Sequence, residues 1–299
     1  MVNNECNFFP MADAVDLIEV YSNYAYCWTQ RYQGGNYTIF SLPKIEDQQG
    51  VRISSNFRTN YSEPLLTENP LETAGTTQLE NDADQPVTQT VQFNVATPIE
   101  ESWRLTEAVA PGGNNFYLIN KPLDPGIEAF TSQTAEPQPI TLNTTPTMQT
   151  DQNNPQLQIN LSETVTQSNF QNWNISQELR LPPQSRTTVS LQTMPVHVTR
   201  AFQFMFYVTG TLGITTTQPI FGQTEHYIPV TDIDWYDYPQ IEVDNEFNLL
   251  RCQNTGEYTA SYHTDPSLLI ETVSITNGVP ISTIRMNLNT GEMETILGC

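Results

Sequence analysis

Three histidines, His197, His226 and His263, and four cysteines, Cys6, Cys27, Cys252 and Cys299, are the residues of this 299-residue chain best suited to metal or nucleophilic chemistry. None stands at a zinc-like spacing, and no G-x-S-x-G, H-E-x-x-H or phosphate-cradling glycine loop occurs. The nearest approach to a ligand cluster is "HYIPVTDIDWYDYP", where Asp232, Asp234 and Asp237 alternate with Trp235, Tyr236 and Tyr238. Carboxylates beside rings can hold a sugar or calcium, but the spacing is not that of an EF-hand loop, and solvated acids at strand ends account for it better. The chain reads as a non-enzyme that needs no metal and no cofactor. The cysteine separations allow an N-terminal pair and a C-terminal pair in an oxidising compartment, or four free thiols.

Contact chemistry is better represented. Between Phe8 and Phe40 the chain concentrates aromatic residues, and Tyr21, Tyr24, Tyr26, Trp28, Tyr32 and Tyr37 are the candidates for touching a glycan or protein receptor. Such rings offer a flat apolar face with a hydroxyl handle; their competing use is the core of a small N-terminal lobe. The element that must position them is a helix over "ADAVDLIEVYSNYAYCW". There Ala14, Leu17, Ile18, Tyr21, Tyr24, Ala25 and Trp28 recur at helical spacing, with Asp13 as the N-cap.

The rest of the chain predicts strands. Only 37% of residues are hydrophobic and 15% charged; the remaining polarity is Thr, Ser, Asn and Gln, which suits extended, partly solvated β-structure. A net charge of −22 with two lysines, Lys44 and Lys121, excludes nucleic acid as a partner. The same charge opposes adsorption to an anionic membrane, so membrane action would need a receptor, carboxylate protonation or prior assembly. No apolar run is long enough for a membrane helix, and the first residues lack a basic segment followed by an apolar one, so a soluble protein is expected.

In "NWNISQELRLPPQSRTTVSLQT" one apolar row, Trp173, Ile175, Leu179, Leu181, Val189 and Leu191, continues across a corner at Pro182 and Pro183. Strands with one dry and one wet face are predicted on either side. Val91, Phe93 and Val95 begin a second such strand, interrupted at Pro98 and resuming at Trp103, Leu105 and Val109. "RAFQFMFYVTGTLGITT" reads as a central strand with a bend or bulge at Gly210 and Gly213. Short strands separated by Asn-Thr-Gly, Asp-Pro and Asn-Gly turns follow, then a hairpin around Asn289 to Gly291. A proline-rich insertion without helical period separates the two flanking strands, from Pro111 to Pro155.

"LETAGTTQLENDADQPVTQTVQF", "NWNISQELRLPP", "AFQFMFYVTGTL" and "NTGEYTASYHTD", in this order around one long insertion, resemble the aerolysin-like β-pore-forming toxins. The likeness is to the epsilon-toxin and mosquitocidal-toxin branch that includes insecticidal crystal proteins, and it covers Leu71 to Val273. It implies a mainly β, elongated antiparallel protein with a β-sandwich and a small N-terminal lobe containing a helix. Residues 1–75 would form the receptor-binding lobe and 76–299 the pore-forming module, with an insertion tongue within 110–156. By the resemblance, the chain is secreted or released from a crystal inclusion, binds a surface receptor and assembles on the target-cell membrane into a heptamer-like homo-oligomer. Tongue residues would be Phe116, Tyr117, Leu118, Ile119, Leu157, Ile159 and Leu161, with the 116–119 run serving as a lipid-anchoring tip or a cover on the sheet. Pro122, Pro125, Pro137, Pro139, Pro146 and Pro155 crowd this segment, whereas a barrel wall tolerates few residues without an N–H. Proteolytic activation, where family members use it, is expected at Arg58 or elsewhere in the first 58 residues, or at Arg285.

Overall fold

The computed structural model describes residues 14–46, 56–57, 59–110, 116–120, 143–144, 156–160 and 164–298. Short elements come first: β1 (Ala14–Asp16), α1 (Leu17–Arg31), β2 (Tyr37–Ser41), β3 (Lys44–Glu46), β4 (Asn56–Phe57), β5 (Thr59–Tyr61) and β6 (Leu65–Glu68). The strands β7 (Glu72–Asn81) and β8 (Val87–Ala110) lead to three short pieces, β9 (Phe116–Asn120), β10 (Asn143–Thr144) and β11 (Gln156–Asn160). Then come β12 (Val165–Leu181), β13 (Ser185–Thr209), β14 (Thr211–Ile220) and β15 (Gln223–Pro229). A 3-10 turn at Val230–Asp232 precedes β16 (Ile241–Asp244), β17 (Leu249–Ser274), β18 (Pro280–Asn287) and β19 (Met293–Gly298).

The spine is the antiparallel pair β13 and β17, of 25 and 26 residues. At roughly 3.3 Å per residue each runs about 80 Å, so the molecule is elongated. Along the outer edge of β13 lie β7, β6, β5 and β3 in turn. Along the far edge of β17 lie β18, β8 and β16. β8 also carries β12 on its other side, antiparallel from Val87↔Leu181 to Trp103↔Val165. This mainly β, antiparallel architecture with one N-terminal helix is the fold class that the sequence pattern predicts.

Two cores follow from the alternation along these strands. In the sandwich, Val91, Phe93, Trp173, Ile175, Leu179 and Leu181 of the β8–β12 layer face Val189, Leu191, Leu268, Ile270 and Met286 of the spine layer. The apolar row expected to cross the proline corner is therefore buried on both sides of it. Asn81 fastens that corner by donating to the carbonyls of Pro182 at 2.7 Å and Gln85 at 3.0 Å. In the head, Phe202, Phe204, Phe206, Trp103 and Tyr258 join Leu17, Val20, Tyr21 and Ala25 of α1 in one cluster. The helix thus packs on the long strands and shares their core.

The structure corrects several local expectations. The helix begins at Leu17, and its N-cap is Asp16, whose carboxylate accepts from the amides of Ile18 and Glu19. Residues 14–16 are drawn instead into parallel pairing with Ala108–Ala110. Pro98 does not interrupt β8: at that position β8 is paired only with β12, the β17 ladder beginning at Glu100, so the missing N–H faces no partner strand. Asn-Thr-Gly and Asp-Pro lie inside the continuous β17 rather than at turns. Gly256 is required there because a Cβ would stand 2.2 Å from Phe202 Cζ, while Asn254 spends its carbonyl on the buried Val109 amide. The Asn277–Gly278 and Asn289–Gly291 turns are found, with Gly278 and Gly291 at positive φ. Cys27 is disulfide-bonded, and Cys252 is a fully buried free thiol whose pKa burial pushes up, which removes the Cys252–Cys299 pairing.

Candidate functional site

Two regions can act on something outside the molecule: the aromatic surface of the head and the β8–β12 layer with the segment it encloses. In the head, α1 lies against the three-stranded sheet β15–β14–β2 and turns one face inward. Tyr21 belongs to that inner face. It is 3% exposed, packs edge-on to Trp235 at 6.2 Å, and burial raises its phenol pKa, so it is core and offers nothing to a partner. Tyr24 is half-buried against the same cluster. Trp28 and Tyr37 are half-buried against it too, and Tyr26 and Tyr32 are exposed. Tyr26 is exposed and its ring lies 6.5 Å from that of Tyr37, whose hydroxyl donates to the Ser22 carbonyl.

Trp28 stacks between Tyr32 at 5.3 Å and His226 at 4.8 Å. Tyr32 continues the row to Phe221 at 5.1 Å, and the Arg31 guanidinium sits 5.8 Å over the Tyr32 ring. Phe221 is 81% exposed and holds a left-handed backbone (φ 53) at the tip between β14 and β15. A bulky residue in that region is strained by about 1–3 kcal/mol, which its contact with the Tyr32 ring offsets in part. On the other face of the sheet Phe40 and Tyr227, both exposed, meet edge to face at 5.4 Å above Gly213. A Cβ on Gly213 would come within 2.8 Å of Phe40 Cζ, so glycine is what lets the ring lie flat. Phe221, His226 and Tyr227 are absent from the sequence-based site. The signal for Phe221 was an aromatic directly before glycine in "PIFGQ", between two apolar runs.

The "DIDWYDYP" acids form no cation site. Trp235 is buried and donates to the Val230 carbonyl at 2.8 Å, while Asp234 accepts from the Tyr236 amide. Among the described residues no group of three or more His, Cys, Asp or Glu side chains could hold a metal ion.

The β8–β12 layer separates polar from apolar side chains by strand parity. Gln92↔Ser176, Asn94↔Asn174 and Ala96↔Asn172 pair across it on the watery face. Phe93↔Ile175 and Val95↔Trp173 pair on the core face. Trp173 Nε1 donates to Thr97 Oγ1 at 2.8 Å inside the layer. Next to it Gln171 is fully buried with neither amide atom bonded among the described residues, a cost of about 1–3 kcal/mol. Where the spine bulges between Gln192 and Met194, Thr193 Oγ1 meets His263 Nδ1 at 3.0 Å. Burial lowers the His263 pKa; Glu72 pulls it up and His197 pushes it down.

Of the enclosed segment, Phe116, Tyr117, Leu118 and Ile119 lie in β9, and Leu157 and Ile159 in β11, which pair antiparallel. Leu161 falls outside the described residues. β4 runs parallel to β9, and β10 pairs Asn143 with Asn172. Arg285 lies in β18, the middle strand between β17 and β19, opposite Leu269 and Glu294. Arg58 lies outside the described residues.

No family model matches this chain, and no curated protein matches it. Solved structures do. The Mpp75Aa1.1 beta-pore-forming protein from Brevibacillus laterosporus superposes with a TM-score of 0.51 at 13% identity, covering 95% of this chain and 98% of that one. A non-toxic crystal protein from Bacillus thuringiensis gives 0.51 at 13% identity, with 88% and 98% covered. A chain of the Cry23Aa1 and Cry37Aa1 binary complex gives 0.50 at 14% identity, with 92% and 96% covered. The chain shares the fold of these three structures, the aerolysin-like β-fold.

Proposed function

We propose that this protein is a soluble pore-forming toxin: it binds a receptor on a target cell, oligomerises and inserts a β-barrel into the membrane. The observation that carries this reading is the β8–β12 layer. Two long paired strands flank residues 110–156; along their middle Gln92, Asn94, Asn172, Asn174 and Ser176 line one face, and Val91, Phe93, Val95, Trp173 and Ile175 line the other. A barrel wall needs that division, water-filled lumen on one side and lipid on the other, and it satisfies every backbone group only when several copies close it. A monomer keeps the apolar row against the spine and stays in solution, which fits release as a soluble protein or from a crystal inclusion.

In this reading the Trp28, Tyr32 and Phe221 row, with Tyr26 and Tyr37 beside it, contacts the receptor, and the tongue lies within 110–156. A heptamer-like homo-oligomer is the assembled form, and no enzymatic step is involved. The division of labour runs from the helix-bearing N-terminal part, 1–75, on which β14 and β15 pack, to the module over 76–299. Trimming falls in the first 58 residues or at Arg285; at Arg285 it needs β18 to open first, because that residue sits between two strands.

A second reading has its own support. The aromatic surface is complete in the single chain, and the same fold occurs in a crystal protein described as non-toxic, so a non-lytic receptor- or carbohydrate-binding protein fits the head equally well. Dye release from target cells, together with an SDS-resistant ring on gels, separates the two. Leakage with rings supports the pore; binding without either supports the second reading.

A further inference from the structure

β8 changes partners part way along. From Val87 to Trp103 it pairs with β12 in unbroken register. Beyond Trp103 it leaves β12 and stays with β17, Arg104 opposite Glu257 and Glu107 opposite Thr255, and then takes β1, Ala108 opposite Ala14. The head holds this stretch firmly: Leu105, Ala108, Val109 and Ala110 are buried, and the Val109 amide donates to Asn254 Oδ1 at 2.7 Å. β12 has no counterpart to it. On that arm the next described strand is β11, which pairs with β9 from Phe116↔Asn160 onward.

The two ladders are therefore out of step. Between the pair Trp103↔Val165 and the pair Phe116↔Asn160, one arm has twelve residues, 104–115, and the other has four, 161–164. The first arm is longer by eight. In a membrane-spanning hairpin each backbone N–H and C=O must find a partner strand, and a β-bulge absorbs a single extra residue. A surplus of eight cannot remain on one arm.

Resting on the pore reading above, we propose that insertion keeps the β8–β12 register and extends it, so that residues 104–110 peel from β17 and β1 while the β9–β11 ladder dissolves and re-forms shifted by eight. β8–β12 is the ladder retained because it has seventeen pairs against five. Eight is even, so the shift leaves every residue on the same face of the hairpin, where an odd shift would turn the polar row toward lipid. The head segment of β8 is then a clasp: the soluble form holds in its core the length of strand that the inserted form needs.

Three engineered disulfides in the full chain test this. Thr88→Cys with Arg180→Cys fixes the β8–β12 register. Arg104→Cys with Glu257→Cys closes the clasp. Leu118→Cys with Gln158→Cys fixes β9–β11. Each is assayed oxidised and reduced on dye-loaded vesicles made from membranes of cells that the parent protein permeabilises, with the parent carried through the same treatments to control for the Cys27 disulfide. The first lock should release dye within about twofold of its reduced form. The other two should fall at least tenfold when oxidised and recover on reduction, with cell binding unchanged. Release by the oxidised clasp or the oxidised β9–β11 lock, or loss of release by the first, overturns the inference while leaving the pore reading intact. A parent protein that permeabilises no membrane overturns both.

Discussion

Along the same two strands, the head and the sandwich are filled by different chemistry. At the head end β13 and β17 turn Phe202, Phe204, Phe206 and Tyr258 against a helix and Trp103; at the sandwich end they turn Val189, Leu191, Leu268 and Ile270 against only two strands, β8 and β12. Aromatic rings interlock in fixed edge-on and tilted contacts, Trp103 with Tyr258 at 5.0 Å among them, and make a rigid end. The second sandwich layer has water on its outer face, hydroxyl and amide groups along the middle of that face, and a buried amide, that of Gln171, unbonded among the described residues. On the proposed function, the rigid end serves to present a surface and the separable layer serves strands that must leave.

The comparison can be broken most forcefully at Trp173, the largest side chain of the sandwich core. Trp173→Ala opens a cavity and strands the Thr97 hydroxyl, and should cost about 3–5 kcal/mol in urea unfolding. Loss of far less would mean that the two layers are hardly packed. At the head, Phe221→Asn keeps a residue that tolerates the left-handed backbone and removes the exposed ring. Binding to susceptible cells should weaken tenfold or more, about 1.4 kcal/mol, with the thermal midpoint raised as the backbone strain is relieved. Unchanged binding would remove Phe221 from the contact surface.

Smaller effects sharpen the contrast. Gln171→Leu should stabilise the sandwich by about 1 kcal/mol, because it replaces an amide whose hydrogen bonds are unmet, and should slow dye release if the layer must separate. A destabilised variant would show that the amide has partners in solution. His263→Gln gives the weakest signal. Burial holds the folded-state pKa of His263 below its ordinary value of about 6.5, so the unfolded chain takes the proton first. The stability from keeping it neutral is fully present above about pH 6.5 and is lost as the pH falls from there through the lower folded-state value. Unfolding midpoints of wild type and variant, compared at neutral and mildly acidic pH, should diverge only in the acidic range.

Much of this was legible in the residues. Parity alone identified the buried row from Trp173 to Leu191, because a strand with one wet face must alternate, and the proline corner lay where donors are not needed. What could not be read was which turn-forming residues are used as turns. Asn254 and Gly256 are turn-like in sequence but serve β17 through a distant amide and a distant ring, Val109 and Phe202, which no local pattern contains. Asp13 and Asp16 are equally good caps locally; the pairing of residues 14–16 with Ala108–Ala110 decides between them. Burial of the receptor candidates was beyond local pattern in the same way, since helical spacing tells which residues share a face but not that the face of Tyr21 is inward, and Phe221 meets Tyr32 only through the folding of β14 and β15 over α1.

The central claim is that the polar face of the β8–β12 layer becomes the wall of a water-filled channel. Single-channel recording of Ser176→Cys in planar bilayers tests it directly, with a water-soluble charged thiol reagent added after channels have opened. Stepwise changes in conductance in this variant, absent from wild type, are the predicted result. Channels that conduct identically before and after the reagent, or bilayers that never conduct, would contradict it.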